Sequence, residues 1–155
     1  MNAPDPTNPG TWHRFFAASA NNAAWTLAEM PASELDAKAL LDAAHAAAWH
    51  WQHVGNELNR MRACKLLALA HARAGLGTSA LAYAETMRDF FLSREGTPDW
   101  EIAMTHFVHA CAAAAAGDHA QHAASYAEGM RALAAIADER DRDVVKTVLA
   151  HVPAP

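Results

Sequence analysis

Residues 75–99 read GLGTSALAYAETMRDFFLSREGTPD. The Gly75-x-Gly77 pair that opens the stretch suits a tight turn, and Thr78 suits the cap of a helix that follows it. Leu81, Tyr83, Ala84, Met87, Phe90 and Phe91 then recur at helical spacing. Gly96 fits the left-handed position beyond a helix end. Thr97-Pro98-Asp99 reads as a new start, with Thr97 as cap and Pro98 in the first turn. Asp99 and Glu101 there face the positive end of the helix dipole. One helix bounded by glycine corners, with a second beginning at once, predicts antiparallel packing.

Working outward, the same punctuation predicts seven helices. The first runs from a Thr11 cap to about Met30, with Trp12, Phe15, Phe16, Ala23 and Leu27 on its apolar face, and Pro31 ends it. Ser33 caps the second, which Gly55 stops after His53. Asn56 caps the third, which continues to Ala74 through Leu66, Leu67 and Ala70. The fifth runs to Ala116 and the sixth opens at Asp118, with Gln121 in the capping-box position. A short seventh begins near Asp138 or Asp141 and ends before Pro153. The links between helices are expected to hold two to four residues. Met1 to Gly10 carries three prolines with neither a basic nor an apolar run; it reads as a disordered leader, not a signal peptide. Residues 11–152 are expected to form one domain.

Tyr83-Ala84-Glu85-Thr86-Met87-Arg88 recurs as Tyr126-Ala127-Glu128-Gly129-Met130-Arg131, an offset of 43 residues. Each copy falls in the second helix of a hairpin, so the expectation is a helical solenoid whose repeat is one hairpin. Helices one and two form a degenerate third pair, and the last helix caps the open end.

Composition agrees. Alanine supplies 40 of 155 residues, against six valines and two isoleucines. Alanine favours helices whose axes approach closely, and a sheet would lack β-branched residues. A net charge of −5 argues against nucleic acid as a partner. The densest basic group, Arg60, Arg62 and Lys65, reads first as a solvated helix face and second as a partner contact. No apolar run is long enough for a bilayer, the longest being Ala110 to Ala116. Cys64 and Cys111, without CxxC spacing, suggest reduced thiols in a cytoplasmic protein, although packed helices could bring them together.

The glycine turn, the small residues at the crossing and the aromatic in the second helix resemble tetratricopeptide repeats, whose period is about 34 residues. The chain also resembles a broad set of bacterial proteins of tetratricopeptide-like fold without an established role. The segments that carry this are His45 to Gly55 (HAAAWHWQHVG), Asn59-x-x-Arg62, Asp99-Trp100-Glu101-x-Ala103, Ala116-Gly117-Asp118 and Ile136-Ala137-Asp138-x-x-Asp141-Arg142. Members often carry Glu and Arg in the fifth helix where this chain has Phe107 and Cys111. The resemblance implies an all-α fold of antiparallel hairpins stacked as a short right-handed solenoid. Helices one, three and five would line its concave face.

Ten histidines are the unusual feature. His50/His53, His106/His109 and His119/His122 are spaced i,i+3, so each pair could present two imidazoles to one ion. His45, Asp118, Glu57 or Cys111 could supply a third ligand. None of the pairs belongs to an HExxH or CxxC arrangement, so surface or hydrogen-bonded core roles weigh more. His45, Trp49 and His53 form an aromatic and imidazole face suited to recognition, with Trp51 turned to the core. Asn59 and Arg62, with Glu57 nearby, read as a capping and surface ion-pair group or as a groove-side network. Nucleophilic catalysis lacks a glycine elbow, and phosphate binding lacks a glycine-rich loop.

The leading expectation is therefore a non-enzymatic helical-repeat module for a protein or peptide partner, without a cofactor. His45, Trp49, His53, Asn59, Arg62, His106 and His109 are its candidate contacts. The alternative is a small-molecule or metal-binding protein, even an enzyme, that uses clustered histidines. Homodimerisation through the tryptophan-rich first two helices is a third possibility.

Overall fold

Two glycine corners set the geometry of the central hairpins. Gly75 and Gly117 both have φ of 75°, a region that costs glycine nothing and other residues strain. At the first corner the Leu76 amide donates to His71 O and the Gly75 amide to Ala72 O. At the second, the Asp118 amide donates to Ala113 O and the Gly117 amide to Ala114 O. Both are Schellman terminations, which close the last helical carbonyls and turn the chain back on itself.

The structure, a computed structural model, describes residue 5 and residues 7–155. Seven α-helices occupy the described residues, with no strand among them: α1 (Pro9–Ala28), α2 (Ala37–Val54), α3 (Glu57–Arg73), α4 (Gly77–Ser93), α5 (Asp99–Ala116), α6 (His119–Ala135) and α7 (Glu139–Leu149). They form the expected all-α arrangement of stacked hairpins. Each helix packs on its neighbour in sequence as far as α6. The odd-numbered helices also touch in series, α1 on α3, α3 on α5 and α5 on α7. The middle of α5 is buried on every side, because α3, α4, α6 and α7 all pack against it.

Several boundaries differ from the sequence reading. Asn8, not Thr11, caps α1, so residues 9 and 10 belong to the helix, while residues 1–4 and 6 of the expected leader lie outside the described residues. Asp36, not Ser33, caps α2, because residues 32–34 are taken up by a turn in which the Glu34 amide donates to Pro31 O. Leu76 and Pro98 occupy the cap positions expected for Thr78 and Thr97; Thr97 Oγ1 instead donates back to Phe91 O and Arg94 O. The links at residues 29–36 and 94–98 exceed the expected length. The caps at Asn56 (a full capping box with Asn59), Asp118 and Asp138 stand as read.

The repeat register also changes. The hairpins recur at 42 residues, not 43: α3 and α5 begin at 57 and 99, α4 and α6 at 77 and 119, and the left-handed glycines fall at 75 and 117. The matching Tyr-Ala-Glu segments are thus rotated by one residue, about 100° of helix. Ala84 and Met87 are buried, whereas Ala127 and Met130 are exposed. The hairpin's buried face sets the register, and one residue of mismatch takes Ala127 and Met130 off it while Tyr126 stays packed on Phe107.

Candidate functional site

The odd-numbered helices share one face, and a cleft of about 340 Å³ opens there. Asn21 and Trp25 come from α1, Arg62 and Lys65 from α3, Trp100, Glu101 and Met104 from α5, and Val144 and Thr147 from α7; Glu29 borders it just past α1.

Its floor is a three-residue charge cluster. The Glu101 carboxylate is 1% exposed and accepts from Arg62 Nε at 2.9 Å on Oε1 and from Arg62 Nη2 at 2.7 Å on Oε2. Lys65 Nζ donates to Oε1 at 2.9 Å, with its side chain only 2% exposed. Lys65 Nζ also lies 4.6 Å from the Phe91 ring centre and 5.4 Å from that of Trp100, while the Arg62 guanidinium lies 5.5 Å from Trp100. Such contacts stabilise a cation out of water. Burial pushes the Lys65 amine down to about 8, against the pull of Glu101. Burial pushes the Glu101 carboxyl up, but Arg62 and Lys65 outweigh it and hold the group below the usual carboxylate range.

Of the residues expected from the sequence, Arg62 alone lies in this cleft. It is a wall of a buried network, not a surface ion pair with Glu57. Lys65 is no part of a solvated face. Asn59 is spent on the α3 cap, exchanging hydrogen bonds with Asn56. His106 and His109 face away from the cleft, toward α4 and α6: Arg88, Glu128 and Arg131 act on His106, and His109 Nδ1 lies 2.8 Å from Ser125 Oγ. His106 Nδ1 and His109 Nε2 are buried without a hydrogen-bond partner among the described residues.

The other histidines gather around α2. His13 Nδ1 and His50 Nδ1 are 2.9 Å apart, and His53 packs tilted against His13 and edge-on to the exposed Trp49, with ring centres 4.4 and 4.9 Å apart. His45 Nε2 lies 3.0 Å from His71 Nε2, and His71 Nδ1 lies 2.6 Å from Ser79 Oγ. Burial lowers the His50 and His71 pKa values, helped by the neighbouring imidazoles. His119 is exposed, while His122 turns inward to Ala110 O, so that pair does not face one ion. No group of three or more His, Cys, Asp or Glu converges on a metal position among the described residues.

No family model, curated protein or solved structure matches this chain. The site is therefore read from its own geometry. Sequence reasoning missed Lys65, Trp100 and Glu101 as a unit. One signal was available: Lys65 is in register with Ala68, Leu69 and Ala72 on the buried face of α3. A lysine there needs a counter-charge, and Glu101 supplies it.

Cys64 and Cys111 are both free. Burial pushes both thiols up to about 11. No helix among the described residues is long and apolar enough to cross a membrane.

Proposed function

We propose that this chain is a non-enzymatic, tetratricopeptide-like helical-repeat module that binds a protein or peptide segment in the cleft of α1, α3, α5 and α7. The observation that carries this reading is the convergence of half-buried Trp25 and Trp100 with the part-exposed Arg62 on one cleft, above the buried Lys65 and Glu101. Aromatic and arginine side chains are enriched where protein surfaces recognise one another. Stacked helical repeats usually work through such a shared face, which is an argument from fold. The free, weakly acidic thiols suit a reducing compartment, in keeping with a cytoplasmic protein.

Capture of partners from a lysate tests the reading, using wild type, Arg62→Glu and Val144→Asp. Val144 is exposed at the cleft rim, so its replacement spares the core. Loss of wild-type partners by both variants, with helix content unchanged, is the expected result. Retention of every partner by Val144→Asp sinks the cleft as the protein-binding surface.

The metal-binding alternative draws on the facing imidazoles of His13 and His50. Stoichiometric zinc that raises the melting temperature, and is lost in His50→Ala, would favour it.

A further inference from the structure

The floor of the cleft holds two cations and one carboxylate. Arg62 and Lys65 both spend hydrogen bonds on Glu101: Oε1 accepts from Arg62 Nε and Lys65 Nζ, and Oε2 from Arg62 Nη2. Among the described residues Glu101 is the sole oxygen partner of Lys65 Nζ, and the rings of Phe91 and Trp100 lie close to that amine. Arg62 engages Glu101 through its Nε/Nη2 edge, and Nη1 makes no hydrogen bond among the described residues. The Nη1/Nη2 edge is a second planar fork, matched to the two oxygens of a carboxylate. The Arg62 side chain is 41% exposed, so that fork can be reached from the cleft.

We infer that this floor binds the carboxylate of an organic monoacid, whose apolar body lies against Trp25, Trp100, Met104 and Val144. The inference rests on the cleft being the working surface. The floor by itself carries one surplus positive charge, which one carboxylate matches, and exposed Glu29 already brings the whole lining to neutral, so further negative charge is opposed. Multiply charged anions such as succinate or phosphate are therefore disfavoured. The volume of the cleft suits a small acid or one terminal residue of a peptide. These two sources share the same chemistry, a carboxylate next to an apolar group.

Titration calorimetry tests it with four probes: N-acetylphenylalanine, its amide, the tripeptide acetyl-Ala-Ala-Phe and that peptide's amide. Each acid is expected to bind at least about tenfold more tightly than its amide, the usual scale for a charge-assisted contact. Succinate is expected to bind more weakly than either acid. A tripeptide acid that binds more tightly than N-acetylphenylalanine identifies a chain terminus as the ligand; equal affinities identify a free acid. An entering carboxylate favours the charged Lys65 amine, so binding near pH 8 takes up protons. This is read as a dependence of the heat on buffer ionisation enthalpy. Val144→Asp is expected to weaken both acids without a change in melting temperature.

Acid and amide of equal affinity, or the absence of binding at millimolar concentration, overturns the assignment. If neither acid binds and Val144→Asp still loses its protein partners, the carboxylate falls and the cleft reading stands. If the acids bind and capture is unaffected by Val144→Asp, the cleft serves a small acid and the protein-partner reading falls.

Discussion

Gly129 of α6 lies flat against the ring of Phe107 on α5: a Cβ at position 129 would sit 2.7 Å from Phe107 Cε1 and 2.8 Å from Cδ1. Phe107 is fully buried and cannot retreat. In the preceding hairpin the position equivalent to Gly129 is Met87, also buried. The two hairpins thus share a backbone plan with different side chains at the crossing: Lys65 with Met87 in one, Phe107 with Gly129 in the other.

Gly129→Ala is accordingly expected to destabilise the protein. Alanine improves helix propensity by about 1 kcal/mol, but overpacking against an immobile ring costs about 1–3 kcal/mol. The net loss should be about 1 kcal/mol by urea denaturation. In a Phe107→Leu background the same change should become neutral or stabilising, and a loss there equal to that in wild type would refute the packing argument.

The charge cluster predicts an asymmetry between its members. Glu101→Gln leaves two cations facing each other beneath the cleft and should cost about 3 kcal/mol. Lys65→Met leaves Glu101 balanced by the bidentate Arg62 and should cost less than about 1.5 kcal/mol. Equilibrium unfolding of the two variants is the check; a larger loss for Lys65→Met would mean that the lysine is the structural element.

Acid should weaken the fold through its buried histidines. Burial first, then Arg88 and His106, pushes the His109 pKa down to about 4, so the folded state keeps it neutral. The unfolded chain protonates near its ordinary value of about 6.5. Between those two values the unfolded state binds more protons, so stability falls as pH falls. The contribution is present in full above about pH 6.5 and is lost progressively toward pH 4, on the order of 3 kcal/mol. His50, His71, His106 and His151 are shifted in the same direction. His109→Gln should flatten the decline between about pH 6.5 and 4.5, where most of this term is lost; an unchanged slope would assign the acid sensitivity elsewhere.

The His45–His71–Ser79 chain predicts a tautomer. With the Ser79 hydroxyl proton given to Leu76 O at 3.1 Å, a carbonyl that can only accept, His71 Nδ1–H donates to Ser79 Oγ. His71 Nε2 is then the acceptor and His45 Nε2–H the donor. Long-range nitrogen–proton correlation spectra above pH 7 should show His71 protonated on Nδ1 and His45 on Nε2, and the reverse pattern would refute the chain.

The thiols should be inert while the protein is folded. With both pushed up to about 11, almost no thiolate exists at neutral pH. Iodoacetamide should label buried Cys111 only after denaturation and half-buried Cys64 far more slowly in the native chain than after it, as read by intact mass; rapid labelling of the native chain would contradict their suppressed thiolate.

The helices and most of their corners were determined by the sequence alone, because turns and caps are local chemistry. Glycine supplies the left-handed corners at 75 and 117, Asn56, Asp118 and Asp138 satisfy the first helical amides, and an alanine-rich chain has little else to form. Tertiary structure decided the register and the site. The repeated Tyr-Ala-Glu segments match as letters, but burial of one face places the hairpins 42 residues apart and leaves Met130 in solvent where Met87 is core. Arg62 and Glu101 are separated by 39 residues and two corners. Only the stacking of α3 on α5 makes the acid near the start of one helix the counter-charge of two cations on another, because a buried ion pair depends on distances that no local pattern encodes.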